Sequence, residues 1–356
     1  MEEKCRREPS NPGSSRPDSS RAGWSRRDFL RVGGGCVAHM LAAGVMPGRL
    51  LGASGPGQVI PTVAGRPVRP VAQEAWGTLY RVAEGVYGMV SNPFAEGDAG
   101  RFTLCNGGLV AGTEGVLMVE AFATAEGGRW MSDQAETLSG LRPTHQVITH
   151  YHRDHSDGLG GAEGASEQPV AILSTAGTRD LIEAGWREAD SAGGRPLPEG
   201  ALPPAGGEHE LDLGGVVARI HSRGGHTPSD VTVEVESGGE RVVFCGDLVW
   251  KDMFPNFVDA QPGRLMDSVR ALGSDAGTVF VPGHGELAGG ADMERYRSVL
   301  EHLEGYARLA AGAGTPAEAA AAEYAIPEEF GEWFRFSRRY NQLAIEAWYR
   351  ELASDA

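Results

Sequence analysis

The chain has 356 residues, 41% of them hydrophobic and 22% charged, with 52 glycines and a formal net charge of −16. That length supports one large domain or two small ones with an ample core, and so much glycine predicts many tight turns and loops. Residues 1–52 carry 9 Lys/Arg against 5 Asp/Glu, which leaves −20 on the remainder; a body that acidic repels phosphate backbones and argues against a nucleic-acid partner.

Taken in chain order, residues 1–54 carry a basic stretch, "SRRDFLR" (Ser25 to Arg31), that continues into a small apolar run from Val32 to Met46. Pro47 breaks that run, which is too short to span a bilayer as a helix. The Arg26-Arg27 pair with Phe29 and Leu30 behind it resembles a twin-arginine export signal. The resemblance implies the twin-arginine machinery as a partner, a periplasmic or otherwise exported bacterial product, and a mature form not embedded in the membrane. Cys5 and Cys36 fall in this segment, so Cys105 and Cys245 could form at most one internal bridge. The chain is therefore no disulfide scaffold, and two buried thiols are expected.

Residues 55–76, rich in Pro, Gly and Val without period, read as a linker. Short strand-like runs begin at 78–92. The runs 102–112 and 115–122 meet at Thr113-Glu114 as a hairpin. A helix is expected over 123–141, a short buried strand at 145–150, a helix starting near Ser156, a strand at 170–174 and a helix ending near Trp186. A Gly/Pro-rich loop at 190–206 precedes four strands at 208–213, 216–222, 230–236 and 241–247. A helix near 262–273 and a strand at 278–284 follow, and residues 289–353 read as mostly helical. The order predicts two packed sheets with helices outside.

The stretch "ITHYHRDHSDGLGG" (148–161) carries the chemistry. His150 and His152 stand two apart at a strand end, where extended positions i and i+2 point the same way. Asp154 and His155 follow as the chain turns towards a helix and are placed to serve a second point. Imidazole nitrogen and carboxylate oxygen are common ligands of hydrolytic zinc. Distant candidates also end apolar runs beside glycines: His226 in "SRGGHTPSD", Asp247 in "RVVFCGD" and His284 in "TVFVPGH". His145, His209, His221 and His302 lack such settings and read as surface or hydrogen-bonded histidines.

H-x-H-x-D-H at 150–155, then "GGHTPSD", "FCGDLVW" and "VPGHG" in that order, resembles the metallo-β-lactamase-fold hydrolases. The resemblance spans roughly residues 78–290. It implies an α/β (α+β) fold, a four-layer αβ/βα sandwich, with a catalytic domain over 77–290 and a C-terminal helical extension over 291–356. It also implies a dinuclear metal site in which His150, His152 and His226 bind one ion, Asp154, His155 and His284 the other, and Asp247 bridges them. Two Zn2+ are the default; iron or manganese occur in relatives. Relatives carry Asp where Glu120 stands, which suggests a contact from Glu120 to a ligand histidine. They carry Gly where Asp157 stands, so Asp157 is expected to cap a helix N-terminus or face solvent.

The expected reaction is attack of a metal-activated hydroxide on an acyl carbonyl of a small molecule. Asp247 would hold the bridge, and Asp154 would help with proton transfer. Asp at 247, where β-lactamases of the three-histidine type usually carry Cys, leaves a glyoxalase II-like thioesterase, a lactonase, a β-lactamase and a small-phosphoester hydrolase open. An exported metal-binding or interaction protein without turnover is the reading outside enzymes. Lys251 could hold a substrate carboxylate or be a surface lysine. The loop from Trp250 to Phe257 could line an apolar pocket or pack on the C-terminal helices.

Overall fold

A computed structural model describes residues 60–354 apart from 97–99, 101, 164–168, 189–193 and 338. The Arg26-Arg27 segment lies outside the described residues. Two sheets face each other. The seven-stranded sheet runs β3 (Arg69–Glu74), β4 (Gly77–Ala83), β5 (Val86–Ser91), β6 (Gly107–Ala111), β7 (Val116–Val119), β8 (His145–Val147) and β9 (Ala171–Leu173) in sequential order. It is an antiparallel meander as far as β7, with the expected hairpin pairing Ala111 to Val116. β7, β8 and β9 are parallel. Parallel neighbours need a crossover, and α1 (Ala125–Ser139) makes the first. Thr124 caps it by accepting from Gly127 N, and Gly140 in the left-handed conformation ends it.

The five-stranded sheet runs β10 (Glu208–Asp212), β11 (Val217–Ser222), β12 (Val231–Ser237), β13 (Glu240–Trp250) and β14 (Val279–His284). Its last pair is parallel, connected through α4 (Pro262–Leu272). α3 (Ala176–Glu188) follows β9. After β14 come α5 (Gly290–Gly312), α6 (Ala317–Glu323), a single 3-10 turn (Glu328–Phe330) and α7 (Arg339–Ser354). Among the described residues no helix is long and apolar enough to cross a membrane.

Strand alternation builds the layers. On β13, Val242 and Phe244 point into the core between the sheets, while Val243 and Cys245 point to the helices beyond. On β7, Leu117 and Val119 face the inter-sheet core, and Val116 and Met118 face Met131 and Ala135 of α1. A strand covered on both faces reads as an unbroken apolar run, which is how "RVVFC" and "GVLMV" look in the sequence. The result is helix, sheet, sheet, helix, the four-layer α/β sandwich the sequence implied. The C-terminal helices are part of it: α4, α5 and α7 share one core with β13.

Three local expectations are corrected. Residues 62–74 are not linker: they form the paired short strands β1 (Thr62–Val63) and β2 (Arg66–Pro67), then β3 at the sheet edge. Proline suits an edge strand, where no ladder partner needs its missing N–H, and the register shifts between Pro70 and Ala72. The helix expected to start near Ser156 is instead one turn, α2 (Arg153–Ser156), that ends there. Asp157 therefore closes a helix instead of opening one. Its N–H reaches Arg153 O, and its carboxylate pairs with Arg153 at 2.7 Å and Arg195 at 3.2 Å.

Candidate metal centre

β8 delivers His150 and His152 from the seven-stranded sheet, and α2 follows at once with Asp154 and His155. From the other sheet, His226 precedes β12, Asp247 lies within β13 and His284 ends β14. The structure brings all seven predicted ligands together at one edge of the sandwich, each between 0 and 2% exposed. Two glycines make the approach possible. Gly246 sits at φ +52 where the β13–β14 register shifts, so the irregularity re-aims Asp247. A Cβ on Gly283 would lie 1.9 Å from Asp247 Oδ1.

The ligand atoms form two groups. His150 Nε2 lies 3.1 Å and His226 Nε2 lies 2.9 Å from His152 Nδ1. Asp247 Oδ2 faces this group, 3.3 Å from His226 Nε2 and 3.8 Å from His150 Nε2. Asp247 Oδ1 faces the other, 3.2 Å from His155 Nε2 and 3.3 Å from His284 Nε2. Asp154 Oδ2 completes it at 3.3 Å from His284 Nε2 and 3.6 Å from His155 Nε2. Donor atoms about 2.0–2.2 Å from one tetrahedral ion stand roughly 3.3–3.6 Å apart. The second group, at 3.2–3.6 Å, matches that spacing, and the first, at 2.9–3.8 Å, brackets it.

Both oxygens of Asp154 and of Asp247, with His155 Nε2 and His284 Nε2, are buried without a hydrogen-bond partner. Buried polar atoms are rarely left so; a cation in the second group would satisfy Asp154 Oδ2, Asp247 Oδ1, His155 Nε2 and His284 Nε2, and one in the first group would satisfy Asp247 Oδ2. Burial pushes His150 well below the ordinary histidine range and His226 down to about 3, so their lone pairs are free for a metal. At His284 burial opposes the charge, but the Asp247 and Asp154 carboxylates prevail and raise it to about 9. Burial likewise opposes the charge on Asp247, and His284, His155 and His226 hold it well below the carboxylate range. The second group thus attracts positive charge.

The outer nitrogens of His150, His152 and His155 are held from behind, which fixes their tautomers. His155 Nδ1 lies 3.0 Å from Glu120 Oε1, the contact expected of Glu120. The Thr149 hydroxyl also donates to Glu120 Oε1 and lies 3.0 Å from His150 Nδ1. Glu120 reaches this position at φ +77, an uncommon backbone conformation for glutamate. His152 Nε2 lies 3.0 Å from Asp259 Oδ2, which also accepts from the Tyr151 hydroxyl. Asp259 was not anticipated from the sequence. Its only signal is its place at the end of the loop "KDMFPNFVD", 107 residues from its partner.

Other predicted candidates lie apart. Lys251 Nζ is engaged by Asp252 at 2.7 Å and Asp292 at 2.6 Å, as a structural ion pair. Trp250, Met253, Phe254 and Phe257 pack with the C-terminal helices. Trp250 also stands beside the centre, its ring 4.2 Å from that of His284. His221 pairs with Glu208 at 3.1 Å, and His302 lies 3.4 Å from the Tyr324 hydroxyl. Cys105 and Cys245 are buried free thiols; burial pushes the Cys105 thiol up to about 12.

The family model of the metallo-beta-lactamase superfamily matches residues 100–284. A solved metallo beta lactamase from Erythrobacter litoralis is 19% identical, with a TM-score of 0.51 over 65% of this chain and 99% of that one. The stereoselective inverting sec-alkylsulfatase Pisa1 from Pseudomonas sp. is 17% identical, with a TM-score of 0.57 over 76% of this chain. The match spans about half of the alkylsulfatase, 49% of its length. At such identities the two structures speak to the fold; the family match reaches from before β6 to His284 and takes in every motif of the centre. The chain belongs to the metallo-beta-lactamase superfamily and is a metal-dependent hydrolase.

Proposed function

We propose that this protein is a dinuclear zinc hydrolase that cleaves an acyl bond, a lactam, lactone, ester or thioester, in a small molecule. The observation that carries the reading is the Asp247 carboxylate, whose Oδ2 faces His226 and His150 while Oδ1 faces His155 and His284. A structural site has no use for such a double arrangement with both oxygens left open. In this reading His150, His152 and His226 hold one ion and Asp154, His155 and His284 the other, with Asp247 shared between them. The nitrogen and oxygen donor set suits zinc.

When bound, the ions supply a Lewis acid and a water that ionises near neutral pH. The chain's own groups do the rest. Burial around the seven ligands excludes bulk water and strengthens every charge interaction there. Glu120, Thr149 and Asp259 keep the imidazoles oriented. Burial opposes ionisation of Asp154, but His155 and His284 hold its carboxyl below the usual range, so it is ionised at neutral pH. In this reading it would take the proton of the attacking water and return it to the leaving group.

Export belongs to the same proposal and rests on the Arg26-Arg27 segment. Arg26→Lys with Arg27→Lys should retain the protein in the cytoplasm of a bacterial host, read by fractionation. The chemistry is tested with chromogenic ester, lactone and lactam substrates, with S-lactoylglutathione and a secondary alkyl sulfate as further arms. Turnover by the wild type and its loss in Asp247→Ala is the expected result. Full activity in Asp247→Ala would overturn the assignment of the shared carboxylate.

A further inference from the structure

His284 must be placed from a weak position. It ends β14 between two glycines that offer no side chain to anchor it, and Gly285 turns the chain at φ +88. Its ligand partners Asp154 and His155 come from the opposite sheet. A shift of the β14 end relative to the other sheet would therefore open this group.

One buried side chain spans that gap. Asn106, just before β6, is 2% exposed. Its backbone N–H donates to Gly283 O at 2.8 Å, and its Nδ2 donates to Gly285 O at 2.7 Å, across 179 residues. The two bonds grip the carbonyls on either side of His284. Asn106 Oδ1 accepts from Ser91 N at 2.8 Å, on β5. This last bond fixes the amide: reversed, it would set NH2 against an N–H donor and an oxygen against a carbonyl. Ser91 Oγ in turn donates to the Cys105 carbonyl and lies 2.7 Å from Thr103 Oγ1. On the far side, Lys251 N donates to His284 O at 2.9 Å.

We infer that Asn106 is a positioning residue for the second metal group, setting the separation of His284 from Asp154 and His155 by tying the end of β14 to the other sheet. The inference rests on the reading that these three residues hold an ion. It predicts a selective effect. No hydrogen bond among the described residues joins His150, His152 or His226 to Asn106, so the first group should keep its affinity when the clamp is cut.

Asn106→Asp is the sharpest test, because it keeps the size and the acceptor for Ser91 N but removes the donor to Gly285 O. Asn106→Ala removes both side-chain bonds. Each full-length variant is titrated with zinc under a competing chelator, and amide hydrogen exchange of residues 281–287 is followed in the metal-free protein. The expected result is a second-ion affinity lowered about 10–100-fold with the first within about threefold, and exchange at 281–287 at least about tenfold faster while β8 and β12 are unchanged. Folded variants that bind both ions as the wild type does, with unchanged exchange, would overturn the inference. So would equal loss of both ions with faster exchange throughout, which marks a general structural role. If the wild type itself takes up fewer than two ions, the two-metal reading fails, and the exchange data still decide whether Asn106 holds the His284 turn.

Discussion

Asp259 Oδ2 stands 3.0 Å from His152 Nε2 although the two residues are 107 apart in sequence. The bond keeps the proton on Nε2 and turns Nδ1 towards His150 and His226. Burial opposes ionisation of Asp259, but the His152 bond holds its carboxyl below the usual range. Asp259→Ala is expected to weaken binding of the first ion by about 10–100-fold. Asp259→Asn, which can still accept from Nε2, should fall between it and the wild type. Zinc titration under a competing chelator checks the order; an Ala variant with unchanged affinity would show that packing alone orients His152.

Glu120 differs because it serves both groups, directly at His155 and through Thr149 at His150. Glu120→Ala should therefore weaken both ions, by about tenfold or more each, where Asp259→Ala affects mainly one. The same titration distinguishes the two patterns. Loss confined to one ion would break the proposed relay through Thr149.

Much of this centre is legible in the sequence for a physical reason. The ligands stand at the ends of apolar strands, within one, or in the turn beside one, and glycine marks the places where the chain must come close, so "HYHRDH", "GGH", "FCGD" and "PGH" stand out by type and spacing. Strands buried on both faces, such as β7 and β13, announce themselves as unbroken apolar runs. What stays hidden depends on long-range pairing. Nothing around Asp259 signals that it faces His152, and nothing around Asn106 signals that it grips residues 283 and 285. β1 to β3 hide because two-residue strands and a proline-bearing edge resemble loop by composition. Asp157 misleads because a one-turn helix has its end where a longer helix would have its start.

Gly283→Ala tests the close packing around Asp247. The added Cβ would lie 1.9 Å from Asp247 Oδ1 and 2.9 Å from Asp247 N. The carboxylate would have to turn away from His155 and His284. A folded variant with turnover reduced by about 100-fold or more is expected, since ångström-scale misplacement of a catalytic group costs about that much. Unchanged turnover in a folded Gly283→Ala protein would mean that Asp247 can move without cost.

Asp230, hydrogen-bonded to Thr227 beside the ligand His226, gives the fold a further pH dependence. It is buried, and burial pushes its carboxyl up to about 7 against the opposing hydrogen bonds from Thr227. Unfolded, it titrates near about 3.9. Between these values the folded chain holds the proton that the unfolded chain has released, so this group's contribution to stability falls as pH rises from about 4 to about 7. Asp230→Asn cannot ionise. Urea unfolding of the metal-free proteins at pH 5 and pH 7 should show the variant gaining on the wild type at the higher pH, by up to about 1.4 kcal/mol per pH unit. A difference that does not change with pH would place the Asp230 carboxyl in the ordinary range.

The proposed function needs two bound metal ions, held by seven residues from both sheets, to cleave acyl bonds. The most direct measurement is elemental analysis of the purified protein run alongside turnover of an ester, lactone, lactam and thioester panel, before and after chelation and again after zinc is restored. The predicted result is close to two zinc ions per chain, hydrolysis of at least one member of the panel, loss of that activity with the metal and recovery with zinc. Turnover that persists in the metal-free protein, or a fully loaded protein inert across the panel, would contradict it.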